Sequence, residues 1–374
     1  MTGETVLIAA FSGRAIAQSA RRAGYLPLVV DAFGDLDTRE AANAFQVVPD
    51  AMRTGFRAKP VLAALDALVA SALSPPIGLV LGSGFEDKPR LIDVLDRRYK
   101  ILGCGAETVR QCKDPRILFP LLDELGIAHP ETRLHPPDDP VGWITKRIGG
   151  SGGRHIRFCT PESRAKPRRY FQRCIGGTQI SVSAVVADGI ATDVTRQWCS
   201  HAPRLPFRYS GAVTVPCENA PTYAQMLSAV DQLSRGLQLK GLVSFDFIVT
   251  DDAAYLLEIN PRPGASLDVI DTPDGARFHA HVMAARENKL YFGQGRDALV
   301  CKAAHLVHAD RGGITLGAVP WPEWSADRGA PGTIVPVGAA LATVFAEAET
   351  PEAAVALART RLVHLSNLIY GLSN

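Results

Sequence analysis

Two apolar runs separated by a short polar break sit in the second half of the chain, and they constrain its fold more than any other segment. The first is Gly241-Leu242-Val243-Ser244-Phe245-Asp246-Phe247-Ile248-Val249; the second, after Thr250 to Ala254, is Tyr255-Leu256-Leu257-Glu258-Ile259-Asn260-Pro261-Arg262. Side chains on a strand alternate between two faces. Val243, Phe245, Phe247 and Val249 therefore share one face, and Ser244, Asp246 and Ile248 the other. By the same rule Glu258 and Asn260 share a face, with Leu257 and Ile259 opposite. With residues 251–253 as the turn, Asp246 pairs with Glu258 and Ser244 with Asn260. Directly opposed residues have Cβ atoms about 4.5–5.5 Å apart. Two carboxylates that close repel unless a cation lies between them. With the Asn260 amide beside them they make a hard-oxygen set suited to Mg²⁺. The plain alternative is a solvent-exposed acidic hairpin. The apolar opposite face and the shaped exit Pro261-Arg262-Pro263-Gly264 favour the metal reading.

Lys146 is the second anomaly. In Ile144-Thr145-Lys146-Arg147-Ile148 it shares a face with two isoleucines. An inward ammonium calls for a fixed anionic partner, because burying it unpaired is costly. The loop Gly149-Gly150-Ser151-Gly152-Gly153 begins three residues on and ends at Arg154. Glycines let backbone N–H groups approach phosphate oxygens closely. A glycine loop alone fits a flexible hairpin equally well; with the lysine before it and the acids downstream, a nucleotide–metal site is the better reading.

The first hundred residues have a different texture. Val6 to Phe11 reads as a strand ending in Ser12-Gly13, followed by a helix through Ile16, Ala17 and Ala20 with Gly24 as its stop. Leu26 to Val30 and Ile77 to Leu81 read as further strands, and Pro60 opens a helix with apolar residues at the 3.6 period. Such alternation indicates a parallel, Rossmann-like α/β unit. The middle of the chain is antiparallel α+β, with a hairpin signal at Asp188-Gly189 and a helix from Tyr223 to Leu237. A final helix starts at Pro351. Ser12-Gly13-Arg14 at a helix start can bind an anion, and Glu86, after Gly82-Ser83-Gly84-Phe85, can hold an amine; an ordinary βα turn is the alternative for both. The spacing of a G-x-G-x-x-G dinucleotide fingerprint is absent.

Composition removes several classes. With 47% hydrophobic and 21% charged residues the chain has material for a core and is not disordered. No apolar run reaches the roughly 18 residues of a membrane-spanning helix, and no basic region precedes the first apolar stretch, so a cytoplasmic protein is expected. A net charge of +2, with one dense basic cluster at Arg164, Lys166, Arg168, Arg169 and Arg173, gives no basic stripe for nucleic acid. Seven scattered cysteines without a C-x-x-C pair argue against disulfides or zinc. The pairs His305/His308 and His279/His281 lack companions at metal-site spacing.

Taken together, these residues resemble the ATP-grasp superfamily over about residues 1–345. Lys113, in Gln111-Cys112-Lys113-Asp114-Pro115, looks like the family's first lysine, and Lys146 like the second, ahead of a phosphate loop containing Gly150, Ser151, Gly152 and Gly153. The segment from Tyr170 to Ser181 is similar to the stretch that lines the adenine, which places Gln172, Arg173, Cys174 and Ile175 there and Gln179 at the ribose. The family usually has acids where this chain has Gln172 and Gln179. Asp246, Glu258, Asn260 and Arg262 match the metal pair and following Asn-x-Arg closely.

The resemblance implies a Rossmann-like pre-ATP-grasp domain (1–110), an ATP-grasp domain (111–290) and a small C-terminal lobe (291–374). It implies ATP and Mg²⁺, with Mn²⁺ as a substitute, and a ligase that joins a carboxylate to an amine through an acyl phosphate. Small-molecule partners and a homodimer fit that picture. Catalysis falls to Lys146 and Arg262, and acceptor binding to Ser12, Gly13, Arg14 and Glu86. The amino-terminal half looks closest to the tyramine–glutamate ligases of one-carbon cofactor biosynthesis. A small-molecule kinase on the same fold and a non-catalytic nucleotide-binding regulator are the rival readings.

Overall fold

The structure is a computed structural model that describes residues 3–200, 202, 204–216, 220–291 and 300–372. Its amino-terminal part is a four-stranded parallel sheet in the spatial order Ala44–Val47, Leu26–Asp31, Thr5–Ala9 and Leu79–Leu81. Val6, Ile8 and Val29 are fully buried on one face, against Ile16, Ala17 and Ala20 of the helix Arg14–Arg22. That helix stops where expected, with Gly24 at φ +83, a conformation that costs glycine little. The helix Ala58–Ser71 packs Val61, Leu65 and Leu68 on the other face.

The largest element is an eight-stranded antiparallel sheet. Its order is Ala254–Asn260, Gly241–Val249, Thr178–Val186, Ile190–Cys199, Tyr209–Thr214, Cys301–His308, Ala340–Ala348 and Ser325–Ala326. The hairpin at Asp188-Gly189 joins Thr178–Val186 to Ile190–Cys199. One sheet face carries Val243, Phe245 and Phe247, covered by Met226, Val230 and Leu233 of the helix Pro221–Gly236. Phe245 and Phe247 are almost wholly buried, worth about 1.5–3 kcal/mol each relative to exposure. The opposite face divides. At one end Leu242 and Val185 lie under Phe278 and Val282 of the helix Ala276–Glu287; at the other, Asp246 and its polar neighbours stand clear. Strands Cys301–His308 and Ala340–Ala348 extend this sheet and share a core of Val307, Val344, Leu365 and Ile369 with the helix Pro351–Tyr370. A small antiparallel sheet, in the order Thr132–Arg133, Arg169–Arg173, Trp143–Arg147 and Arg157–Phe158, carries Lys146. Among the described residues no helix is long and apolar enough to cross a membrane.

The central hairpin differs from strict alternation in one instructive way. The backbone N–H of Thr250 bonds Ala253 O at 2.9 Å, and the Thr250 hydroxyl accepts from the N–H groups of Asp252 and Ala253. The turn is therefore tighter than residues 251–253 would give, and it pairs Phe247 with Leu256. A bulge between that pair and Asp246↔Glu258 inserts Leu257, after which Phe245 pairs with Ile259 and Ser244 with Asn260. The cause is the core. Leu256 and Ile259, three residues apart, are both wholly buried, and a period of two cannot bury both without an extra residue. Leu256, not Leu257, accompanies Ile259 into the core.

Candidate active site

The bulge leaves Asp246 and Glu258 facing each other, and the groups around them form one connected network. Asp246 Oδ1 accepts a hydrogen bond from Ser181 Oγ at 2.6 Å, and its Oδ2 accepts from Asn260 Nδ2 at 2.8 Å. Asn260 Nδ2 also reaches Glu258 Oε1 at 3.3 Å. Lys113, buried at the end of the helix Ala106–Lys113, donates to Asn260 Oδ1 at 2.7 Å and lies 3.7 Å from Glu258 Oε2. The mutual repulsion of the two acids is thus offset by an ammonium and an amide of the chain itself, and not by a divalent cation alone as first expected.

The two carboxyl groups respond in opposite directions. Burial and the Glu258 charge push Asp246 above the ordinary aspartate range, against the hydrogen bond from Ser181. Burial also works against the Glu258 charge, but Lys113, Lys146 and His155 outweigh it and hold that carboxyl well below the usual range. Ser181 escaped the sequence reading because serine is common in strands. No local signal marks it, because the pairing that sets it across from Asp246 joins Thr178–Val186 to a strand distant in sequence.

Lys146 is buried as its pattern predicted, 4% exposed. Its Nζ donates to Gln172 Oε1 at 3.2 Å and lies 5.8 Å from the Tyr170 ring centre. Burial disfavours its charge, yet the Tyr170 oxygen and the Glu258 and Asp246 carboxylates raise its pKa above the ordinary lysine value. Gln172, 1% exposed, therefore faces Lys146, and its Nε2 donates to Thr132 Oγ1 at 3.2 Å. Further along, the Cys174 N–H bonds Gly142 O, and the Arg173 guanidinium lies over Trp143. Ile175 is half-buried, and Gln179 is held by Cys199 Sγ.

The glycine loop closes on the protein's own backbone. A Cβ on Gly153, at φ +71, would fall 1.6 Å from Phe207 O, and one on Gly149 would fall 2.5 Å from Asp87 Cα. Glycine is required at both positions by close approach. Gly152 O accepts from the Tyr209 N–H, and Arg154 donates to Gly338 O. Ser151 is half-buried at the loop's tip. Gly150 and the side chains of Lys113, Tyr170 and Glu258 line a small cavity between the small sheet and the helices.

The groups expected to bind an acceptor are largely committed elsewhere. Arg14 is buried and forms ion pairs with Asp268 and with Asp327, the latter at 2.9 Å from Nε. Asp31 Oδ2 sits 3.5 Å from Gly13 N and so occupies the helix start, where Ser12 is half-buried. Glu86, expected to hold an amine, instead accepts from Arg262 Nε at 2.7 Å and from the N–H groups of Gly84 and Phe85. Burial opposes the Glu86 charge, but Arg262 and Lys113 draw its pKa below the ordinary range. These partners lie far off in sequence, which is why local patterns did not reveal them. Arg262 Nη2 has no partner among the described residues, so the guanidinium is oriented by Glu86 and still able to donate.

Two hard carboxylates on one face, with Lys113 and Lys146 beside them, can accommodate a divalent cation bound to phosphates. Asp246 and Glu258 fit such an ion directly. Asn260 fits only with its amide reversed, since its nitrogen now faces the acids. Among the described residues no group of three or more His, Cys, Asp or Glu side chains could hold a metal ion.

Residues 102–266 match a family model described as the ATP-grasp domain. The fold recurs in N5-carboxyaminoimidazole synthetase from Staphylococcus aureus, crystallised with ADP, at a TM-score of 0.69 and 14% identity over 96% of this chain and 97% of that one. It recurs in an L-amino acid ligase from Bacillus licheniformis, at a TM-score of 0.70 and 13% identity over 98% of each chain. The biotin carboxylase domain of the Hydrogenobacter thermophilus 2-oxoglutarate carboxylase, in complex with MgADP and bicarbonate, matches at a TM-score of 0.70 and 12% identity over 96% of this chain and 89% of that one.

Proposed function

We propose that the chain, whose residues 102–266 match the ATP-grasp domain, is an ATP-dependent ligase joining a carboxylate to an amine. In this reading the substrate carboxylate attacks the terminal phosphorus of ATP, ADP leaves, and an acyl phosphate forms. The amine then attacks the acyl carbon, phosphate leaves, and an amide remains. The observation that carries the reading is the Asp246–Glu258 pair, flanked by two buried lysines on separate elements. Mg²⁺ held by Asp246 and Glu258 would offset phosphate charge.

The chain's own residues supply the rest. Lys113 and Lys146 hold phosphate oxygens by direct ammonium contacts, and burial strengthens those contacts. Arg262, oriented through Nε by Glu86, donates to the acyl-phosphate oxygens, where negative charge collects. The glycine loop covers the phosphates, and Arg173 to Ile175 with Gln179 line the base and ribose. The division into residues 1–110, 111–290 and 291–374 belongs to this reading, with the first part contributing to the acceptor site. An acid pair built for phosphoryl transfer argues against a mere nucleotide sensor. The likeness of the amino-terminal half to tyramine–glutamate ligases makes an amino-acid carboxylate and an aryl-alkyl amine the first pair to assay.

The test is ADP release over a panel of carboxylates and amines, with hydroxylamine as the trap. The correct carboxylate with hydroxylamine yields a hydroxamate without any other amine. A stable phosphorylated alcohol and no hydroxamate would identify a kinase instead. No thermal stabilisation by millimolar Mg-ATP would remove the nucleotide reading altogether.

A further inference from the structure

One buried nitrogen beside this site has no hydrogen-bond partner among the described residues. His155 follows the glycine loop, and its ring lies against the Gly150 backbone, so that a Cβ on Gly150 would fall 2.6 Å from the ring atoms. His155 Nδ1 is buried and has no hydrogen-bond partner among the described residues. Buried polar atoms are nearly always paired in a finished site. The loop around it is already settled: Gly150 N bonds Arg147 O, Ile156 N bonds Gly153 O, and the His155 carbonyl accepts from Arg169. The missing partner is therefore not backbone of the loop.

The charged groups around this ring belong to the phosphate site. They are Glu258 on the central hairpin, Lys146 and Arg147 on the small sheet, and Lys113 at its helix end. Burial pushes the imidazole down to about 4, the nearby cations add to that, and only Glu258 opposes. At neutral pH the ring is uncharged and carries one N–H, which Nδ1 can present as a donor. A neutral donor beside three cations suits an anionic acceptor that is already balanced in charge.

We propose that His155 Nδ1 is a binding group for the terminal phosphates of a nucleoside di- or triphosphate. This rests on the nucleotide reading of the site and adds a contact to it. The ring stands at the Gly150 end of the loop, on the side of Lys113 and Glu258, so it contacts the β- or γ-phosphate and not the base.

The experiment is calorimetric titration of the full chain with Mg-ADP and with AMP, for wild type, His155→Ala and His155→Asn. Losing one hydrogen bond to a charged acceptor weakens ADP binding by roughly 10–100-fold. AMP affinity should be unchanged, because AMP lacks the phosphates that Nδ1 reaches. Asparagine, whose amide can donate from a similar position, should recover most of the ADP affinity. The melting midpoint of ligand-free His155→Asn should stay near wild type, since Nδ1 has no partner to lose in the free protein, while His155→Ala also gives up ring packing against Gly150 and is compared at a temperature where it is folded. Equal ADP affinity in His155→Ala overturns the proposal, as does equal loss of ADP and AMP binding or an ADP affinity of His155→Asn no better than that of His155→Ala. If wild type itself fails to bind ADP, the nucleotide reading falls first and this inference with it.

Discussion

Replacing Leu256 and Leu257 separately by alanine tests the bulge that aims Glu258. Strict alternation puts Leu257 in the core beside Ile259; the bulged hairpin puts Leu256 there, wholly buried against Phe247, and leaves Leu257 half-buried beside the small cavity. Deleting a buried leucine side chain to alanine removes its transfer free energy and leaves a cavity, about 2–5 kcal/mol in total. For a position as enclosed as Leu256 the upper half of that range applies, which lowers the unfolding midpoint of a 374-residue chain by about 5 °C. Leu257→Ala gives up only part of a side chain already near water, about 1 kcal/mol or less. The assay is thermal and urea denaturation of the ligand-free variants, followed by ADP release at a temperature where each is folded. Equal destabilisation, or a larger effect at Leu257, would falsify the bulge in favour of the unbulged register, in which Asp246 also pairs with Glu258 but Leu257 is the core residue.

Three further expectations concern the site itself. Glu258→Gln relieves a repulsion with Asp246 but takes the carboxylate from Lys113 at 3.7 Å, and because the folded pKa of Glu258 is depressed its charge stabilises the ligand-free protein; the variant should lose stability at pH 7, while turnover falls at least about 100-fold for want of a charged metal ligand, and wild-type turnover with Mg²⁺ would contradict this. Lys146→Met keeps the aliphatic stem against Tyr170 and should leave the midpoint near wild type while activity is lost; an unfolded variant with normal activity per folded molecule would make Lys146 a structural residue. Glu86→Gln leaves Arg262 buried without its carboxylate and should cost about 3–5 kcal/mol at pH 7. Since the folded pKa of Glu86 is depressed, its contribution is present above the unfolded value of about 4.3 and fades as pH falls through the folded value. The gap between variant and wild type should therefore close on acidification, and a gap that widens toward acid would reverse the assigned sign.

The acid pair was legible in the sequence because two independent strands each placed one carboxylate away from their most apolar face. The register near the turn was not, because it depends on one hydroxyl, Thr250 Oγ1, taking two backbone N–H groups. Lys146 was legible as a buried cation from its isoleucine neighbours, but its nearest hydrogen-bond partner, Gln172, lies on an adjacent strand of the small sheet. Arg14 and Glu86 sit where a βα-loop residue would meet a ligand, and the sequence offered no sign that Asp268, Asp327 and Arg262 would claim them. Such long-range pairs are set by packing of whole units, and no local periodicity encodes them.

Those same pairs decide which boundary in the molecule is easiest to open. Between the parallel sheet and the large sheet lie Glu86–Arg262 and Arg14 with its two aspartates, all largely withdrawn from water. Separating either pair strands a buried charge, at a cost of about 3–5 kcal/mol. The small sheet that carries Lys146 is tied down differently. It has the Arg168–Asp87 pair at 3.8 Å, with the arginine side chain 56% exposed, the Arg154 bond to Gly338 O, and the Tyr209 bond to Gly152 O. Exposed ion pairs of this kind contribute about 0–1 kcal/mol and these hydrogen bonds can be exchanged for water, while Tyr170 against Phe119 and Phe158 against Phe207 add ring contacts. Under the proposed nucleotide site, entry beneath the glycine loop would displace the small sheet, the more weakly tied boundary, and leave Lys113, Asp246, Glu258 and Arg262 in place below it. Lys146 and His155 belong to that side of the site, so under the same proposal their contacts to phosphate would form last, and loss of either should slow closure more than encounter.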